Sequence, residues 1–169
     1  MRYTQILICL LVAFWMASNC PAVAGLSFGP QQKPTTLSEQ DFEALRGRIL
    51  SRCHVLPDAD PARAPWYVHY ELGLELEKRG DARRALDALI EATHRRPEPR
   101  RNARMYGMWF TEYKPYFEIA KMHFALGNRQ CAADALRISA GEREVTEGDK
   151  AFGDFQELET ALGKGVKPN

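Results

Sequence analysis

The stretch that decides the fold is residues 66–99, WYVHYELGLELEKRGDARRALDALIEATHRRPEP. Leu72, Leu76, Ala85, Leu86, Leu89 and Ala92 keep helical spacing on either side of Gly80-Asp81, where a glycine can take the left-handed geometry that stops a helix. The stretch therefore predicts a helical hairpin, closed by Pro97. Leu72-Gly73 stand eight and seven residues before Gly80, and Ala85 and Ala92 stand five and twelve after it. Ile119-Ala120 bear the same relation to Gly127, with Ala132 and Ser139 at the matching later offsets, so a second copy of the hairpin is expected. Small residues such as Gly73 and Ala85 suit the places where two antiparallel helices touch, which gives them a role in the fold rather than in a site.

The spacing Leu72-Gly73, Gly80-Asp81, Ala85, Ala92 and Pro97 resembles the tetratricopeptide repeat, a unit of about 34 residues found in small exported bacterial proteins among others. The first repeat covers 66–99 and the second about 113–146, with Ala120 for the usual glycine, Ser139 for the third alanine and Glu144 where proline is expected. The resemblance implies an all-α fold, a short right-handed solenoid of helical hairpins whose concave face is lined by the first helix of each repeat. Thr36-Leu37-Ser38-Glu39 reads as a capping box with Thr36 as the cap, opening a helix at about 38–53 that carries Phe42, Leu45 and Ile49. A linker, PDADPARAP, follows at 57–65, and Phe152, Phe155, Leu158 and Leu162 resume helical spacing within about 147–163. These flanking helices would cap the two ends of the stack, since a repeat buries only the face its neighbour covers. The helical domain thus spans 37–163, followed by a tail at 164–169.

Ahead of it, MRYTQILICLLVAFWMASNCPAVAG carries Arg2 as its one charge, an apolar run over residues 6–16, and Ala22 and Ala24 before Gly25. A membrane span needs about 20 apolar residues, so this reads as a secretory signal at 1–24, cleaved after Ala24 and followed by a flexible leader at 25–36. Cys20 suggests a lipoprotein signal instead, but Asn19 stands where a small residue is wanted. The protein is expected to be exported, periplasmic if the source is Gram-negative and otherwise secreted, with no membrane span in the mature chain. Removing residues 1–24 takes one of 23 basic residues and none of 22 acidic ones, leaving 22 against 22. A formally neutral chain has no global field to steer it to nucleic acid or to an anionic membrane.

Similarity to the repeat family assigns the concave face to Tyr67, Tyr70, Leu74, Glu77 and Lys78 from the first repeat and Lys114, Phe117, Lys121 and Phe124 from the second. Aromatic bodies beside lysines suit an extended peptide or helix with acidic ends, whereas the plainer reading makes them half-buried side chains of a short stack. The two turn glycines are 47 residues apart, so an insertion of 13 residues, at about 100–112, separates the repeats. Around it RMYGMWFTEYKPYF, residues 104–117, is the most aromatic part of the chain, and Tyr106 and Trp109 make it a rival contact site. Most of so apolar an insertion should pack on the repeats, leaving one or two rings outside. Arg95, Arg96, Arg100, Arg101 and Arg104 crowd the entry to the insertion and read as a solvated loop, with an acidic protein surface or anionic envelope polymer as the other reading.

No HExxH, GxSxG, P-loop or CxxC occurs, and His54, His69, His94 and His123 are scattered along the chain, so no catalytic residue, metal site or cofactor is expected. Cys53-His54 are neighbours in sequence and point apart on a helix. Cys53 and Cys131 should sit on helices separated by the first repeat. Stacked helices lie roughly 8–10 Å apart while bridged Cα atoms lie within about 7 Å, which predicts two buried thiols rather than a disulfide. The expected function is an exported protein–protein interaction module, an adaptor or accessory subunit of an envelope complex whose partner is another protein or peptide. The alternatives are an exported hydrolase using His69 and His123, or a self-assembling structural subunit.

Overall fold

The computed structural model describes residues 36–54 and 63–163. The signal, all but the last residue of the leader, most of the linker and the tail lie outside them. Among the described residues six helices and one β-hairpin follow in order: α1 (Glu39–Arg52), α2 (Trp66–Lys78), α3 (Ala82–Arg95), β1 (Arg100–Arg104), β2 (Phe110–Tyr113), α4 (Pro115–Ala125), α5 (Arg129–Gly141) and α6 (Phe152–Leu162). The fold is mainly helical, and no described helix is long and apolar enough to cross a membrane.

Helices α2 and α3 form one hairpin, α4 and α5 a second, and both turn the chain by the same device. Gly80 and Gly127 each adopt φ +79°. Gly80 donates its amide to Glu77 O (2.8 Å) and Asp81 to Leu76 O (3.1 Å), and Gly127 and Asn128 repeat this on Phe124 O (3.0 Å) and His123 O (2.8 Å). These are the paired bonds of a Schellman motif, which satisfies the last carbonyls of a helix and needs a left-handed residue to do so. In the first hairpin Leu76, Ala85, Leu89 and Ala92 are wholly buried, and in the second Ala132 and Leu136 take the places of Ala85 and Leu89, with Ala120, also wholly buried, in that of Gly73. At Gly73 the close neighbour is Leu89 rather than the Ala85 methyl: a Cβ there would stand 2.7 Å from Leu89 Cγ and 3.3 Å from Ala85 O.

At the N-terminal side Ser38, not Thr36, caps α1. Its Oγ accepts from the Asp41 amide (3.1 Å) and donates to the Asp41 carboxylate (2.6 Å), because the helix begins at Glu39, two residues later than Thr36 would require. Asp81, 2 % exposed, joins this segment to the first hairpin by accepting from the amides of Arg84 (3.2 Å) and Leu37 (3.0 Å). Arg84 reciprocates with a bond to Leu37 O (2.9 Å) and an ion pair to Glu39 (2.6 Å). At the other side α6 lays Phe155 against Phe117, with ring centroids 5.9 Å apart, and buries Leu158 completely.

The expectation of an all-α chain is corrected by the insertion, which is an antiparallel β-hairpin. Arg100 pairs with Tyr113, Ala103 with Thr111 and Arg104 with Phe110, with an irregularity between Arg100 and Ala103. The reversal is a tight turn in which Trp109 donates to Tyr106 O (2.9 Å) and Gly107, at the first central position, adopts φ +52°. Glycine in that place flanked by β-prone residues is a sound hairpin signal, here obscured by the aromatic and arginine content of the stretch. The inward side of the hairpin buries Ala103 and Tyr113 completely. Tyr113 meets Trp66 and Tyr70 edge to face at 4.5 and 4.8 Å and donates its hydroxyl to Arg96 O (2.7 Å).

Candidate functional site

The residues assigned to a concave face meet different fates. Tyr70 is 1 % exposed: its hydroxyl donates to Glu112 O (3.1 Å) and accepts the Lys114 amide (3.2 Å), fastening α2 to the end of the β-hairpin. Phe117, equally buried, lies under Phe155 with the Lys121 ammonium 5.5 Å from its ring centroid. Neither Tyr70 nor Phe117 is open to a partner. The β-hairpin covers the first and α6 the second, and helical spacing within a repeat carries no information about either neighbour. Lys114 is paired with Glu112 at 2.9 Å. Tyr67, Leu74 and Phe124 remain half-buried and Lys78 exposed.

Between α2 and α4 the assigned face carries a charged cluster. Lys121 Nζ contacts Glu77 at 2.5 Å and Glu118 at 2.8 Å, and Glu118 is buried. Burial and the adjoining Glu77 carboxylate push Glu118 up to about 7, although Lys121 opposes the shift. Burial disfavours the Lys121 ammonium, but the two carboxylates outweigh it and raise its pKa.

Glu144, read as a departure from the repeat pattern, is buried and functional in the fold. Its carboxylate accepts the first-turn amides Tyr116 N (3.1 Å) and Phe117 N (2.7 Å), supplying the cap that Lys114 does not provide for α4. The chain turns back to deliver it through Arg143, a non-glycine residue at φ +54°. Burial raises the Glu144 carboxyl to about 7 against the pull of those amides.

Among the described residues the most exposed large hydrophobic side chains are those of the β-hairpin tip, ahead of Ile138 on α5. Met108, Trp109 and Phe110 are 82, 64 and 51 % exposed. Beneath them Tyr106 donates its hydroxyl to Arg52 O (3.1 Å) and packs on His54 and Tyr67 at 5.1 and 5.8 Å, with Trp109 leaning on it at 6.3 Å. The tip is therefore held at its base by α1 and α2 while three large side chains face solvent. Of the residues predicted for the insertion, Tyr106 is its anchor and Trp109 its exposed ring.

The arginine cluster is dispersed over this structure rather than lying in one solvated loop. Arg95 pairs with Glu91 (2.7 Å), Arg96 stacks over Trp66 (4.8 Å), and Arg101 pairs with Asp149 (2.9 Å) and reaches the Thr146 hydroxyl. Arg104 donates Nε to Gly107 O (2.7 Å) within the β-hairpin, and Arg100 is exposed on β1. A cleft of about 230 Å³ between α1 and α2, lined by Leu45, Arg48, Ile49, Arg52, Glu75 and Arg79, has two of its guanidinium groups paired, Arg52 with Glu71 (2.8 Å) and Arg79 with Glu75 (3.0 Å).

Burial lowers the pKa of His69 and His123, which sit on α2 and α4. Among the described residues no group of three or more His, Cys, Asp or Glu side chains could hold a metal ion. Cys53 and Cys131 are both free thiols, as expected, but Cys131 is exposed rather than buried, since it lies on the outer face of the first turn of α5. Burial raises the Cys53 thiol. In comparisons with known proteins the chain matches no family model, no curated protein and no solved structure.

Proposed function

We propose that the chain is an exported, non-catalytic interaction module, an adaptor or accessory subunit of an envelope complex, built on tetratricopeptide-type hairpins in a short right-handed stack. Matching offsets around Gly80 and Gly127, the same left-handed turn at both, and the close approach of Gly73 to Leu89 support the repeat reading. The observation that carries the functional reading is the pinned β-hairpin tip, on which Met108, Trp109 and Phe110 stand exposed. Large apolar side chains held in the open are unfavourable to leave in water, and a rigid aromatic site pays little ordering entropy on contact. Docking therefore runs through the tip, while the charged cluster of Glu77, Lys121 and Glu118 holds the α2–α4 face together.

Fractionation of the producing cells tests this. The parent chain and a Lys78→Glu variant are expected to co-sediment with the envelope, and a Trp109→Ala variant to shift to the soluble fraction. Retention of Trp109→Ala together with release of Lys78→Glu would return the contact surface to the helices.

A further inference from the structure

We infer that the surface engaged by the β-hairpin tip is the interfacial layer of an anionic lipid bilayer. The inference rests on the reading of the tip as the docking surface and adds what it docks on.

Three features favour lipid over a protein pocket. Met108, Trp109 and Phe110 are consecutive residues at a tight reversal, so they do not form the one-sided i, i+2 stripe with which a strand meets a shaped partner. Trp109 leans toward Tyr106, Phe110 lies opposite Arg104, and Met108, the most exposed of the three, crowns the turn. An apolar medium without fixed shape accepts all of these directions at once, and a tryptophan beside it is in the place such rings favour at a membrane–water boundary.

The second feature is the sign and position of charge. Residues 100–113 carry Arg100, Arg101 and Arg104 against Glu112, a local net charge of +2 on a chain whose overall charge is only +1. Arg101 is paired with Asp149 and Glu112 with Lys114, so Arg100 and Arg104 carry the positive charge that the β-hairpin presents. The field is therefore local to the β-hairpin, and the near-neutrality of the whole chain does not oppose it. Arg104 is paired across the strands with Phe110, just below the turn. Entry of the tip by the roughly 5–10 Å usual for interfacial segments brings that guanidinium to the level of lipid phosphates.

The third is rigidity. Tyr106 is fixed to the Arg52 carbonyl and to the His54 and Tyr67 rings, so the exposed side chains enter lipid without prior ordering of the backbone.

The test uses the exported chain, which after removal of residues 1–24 carries Trp66 and Trp109 as its tryptophans. Vesicles of phosphatidylglycerol and phosphatidylcholine, with bromine on the upper acyl carbons, are titrated into it, and a companion chain with Trp109→Phe provides the Trp66 background. Quenching that depends on Trp109, on anionic but not on pure phosphatidylcholine vesicles, is expected. Met108→Ser/Trp109→Ser/Phe110→Ser should weaken partitioning by about tenfold or more. Arg100→Gln and Arg104→Gln should weaken it by about fivefold each, an effect that added salt removes.

Absence of Trp109-dependent quenching on anionic vesicles overturns the lipid inference. If the detergent-solubilised envelope still retains the chain through Trp109 on a protein, the docking reading stands and the partner of the tip is that protein. If neither vesicles nor envelope depend on Trp109, both readings fall.

Discussion

Gly73→Ala is the sharpest test of the packing between the paired helices. On an open helix this substitution stabilises by about 0.8–1 kcal/mol, because alanine fixes the backbone more readily than glycine. Here the new methyl would stand 2.7 Å from Leu89 Cγ and 2.8 Å from Leu89 Cδ2, with Ala85 O at 3.3 Å. Carbon atoms rest at about 3.5–4.0 Å, so Leu89, wholly buried on α3, must retreat by roughly 1 Å or the helices must part. Overpacking of this kind costs about 1–3 kcal/mol, which leaves a net loss of about 0–2 kcal/mol after the helical gain. Urea denaturation followed by circular dichroism would read this as a lower midpoint at unchanged slope, and thermal melting as a fall of several degrees. A double-mutant cycle isolates the contact. Leu89→Ala alone should cost about 2–5 kcal/mol, but less beside Gly73→Ala, whose methyl occupies part of the vacated space, with a coupling of about 1 kcal/mol. A Gly73→Ala chain more stable than its parent, or costs that simply add, would refute the close approach.

Three more outcomes follow from the buried polar groups and the thiols. Glu118 and Glu144 have carboxyls raised to about 7, so the folded state keeps protons that the unfolded chain has already released. Their contribution is fully present below the unfolded carboxyl pKa and is lost as pH rises through 7; the lowered histidines act in the opposite sense below 6.5, so denaturation midpoints should fall between pH 6.5 and 8, and a flat or rising profile there would contradict it. Glu144→Ala strands two first-turn amides of α4 and should cost about 1–3 kcal/mol, with faster hydrogen exchange at Tyr116 and Phe117, whereas Glu144→Gln, which keeps an acceptor, should cost less. Native alkylation with peptide mapping should modify exposed Cys131 and spare Cys53 until denaturant is added; an unmodified Cys131, or a bridged pair, would count against the structure.

Much of the scaffold was legible because local rules acted alone. Leu72, Leu76, Leu86 and Leu89 repeat at the helical period and are buried, and glycines that must take φ +79° recur at matching offsets. Local rules say nothing where distant segments decide. Tyr70 and Phe117 belong to the first helices of their hairpins, but residues 42 or 38 positions away cover them, Glu112 in one case and Phe155 in the other. Glu144 looks like a loop acid until α4 is placed beside it. The β-hairpin had a local signal, Gly107 at the head of a two-residue turn, but composition masked it. Aromatic density, visible in one dimension, marks Trp109 as a candidate; its exposure is not visible there.

The Glu144 contact also bears on the order in which the chain assembles. The amides of Tyr116 and Phe117 find their acceptor 28 and 27 residues downstream. When synthesis has reached Gly141, both helices of the second hairpin have been made, but the start of the first is still open to water. A short helix is marginal by itself, so α4 gains its last fastening only when the chain has passed Arg143 and folded back. The second hairpin is thereby a closed circuit that begins and ends at one carboxylate, and its two helices should form and fray as one unit rather than in sequence.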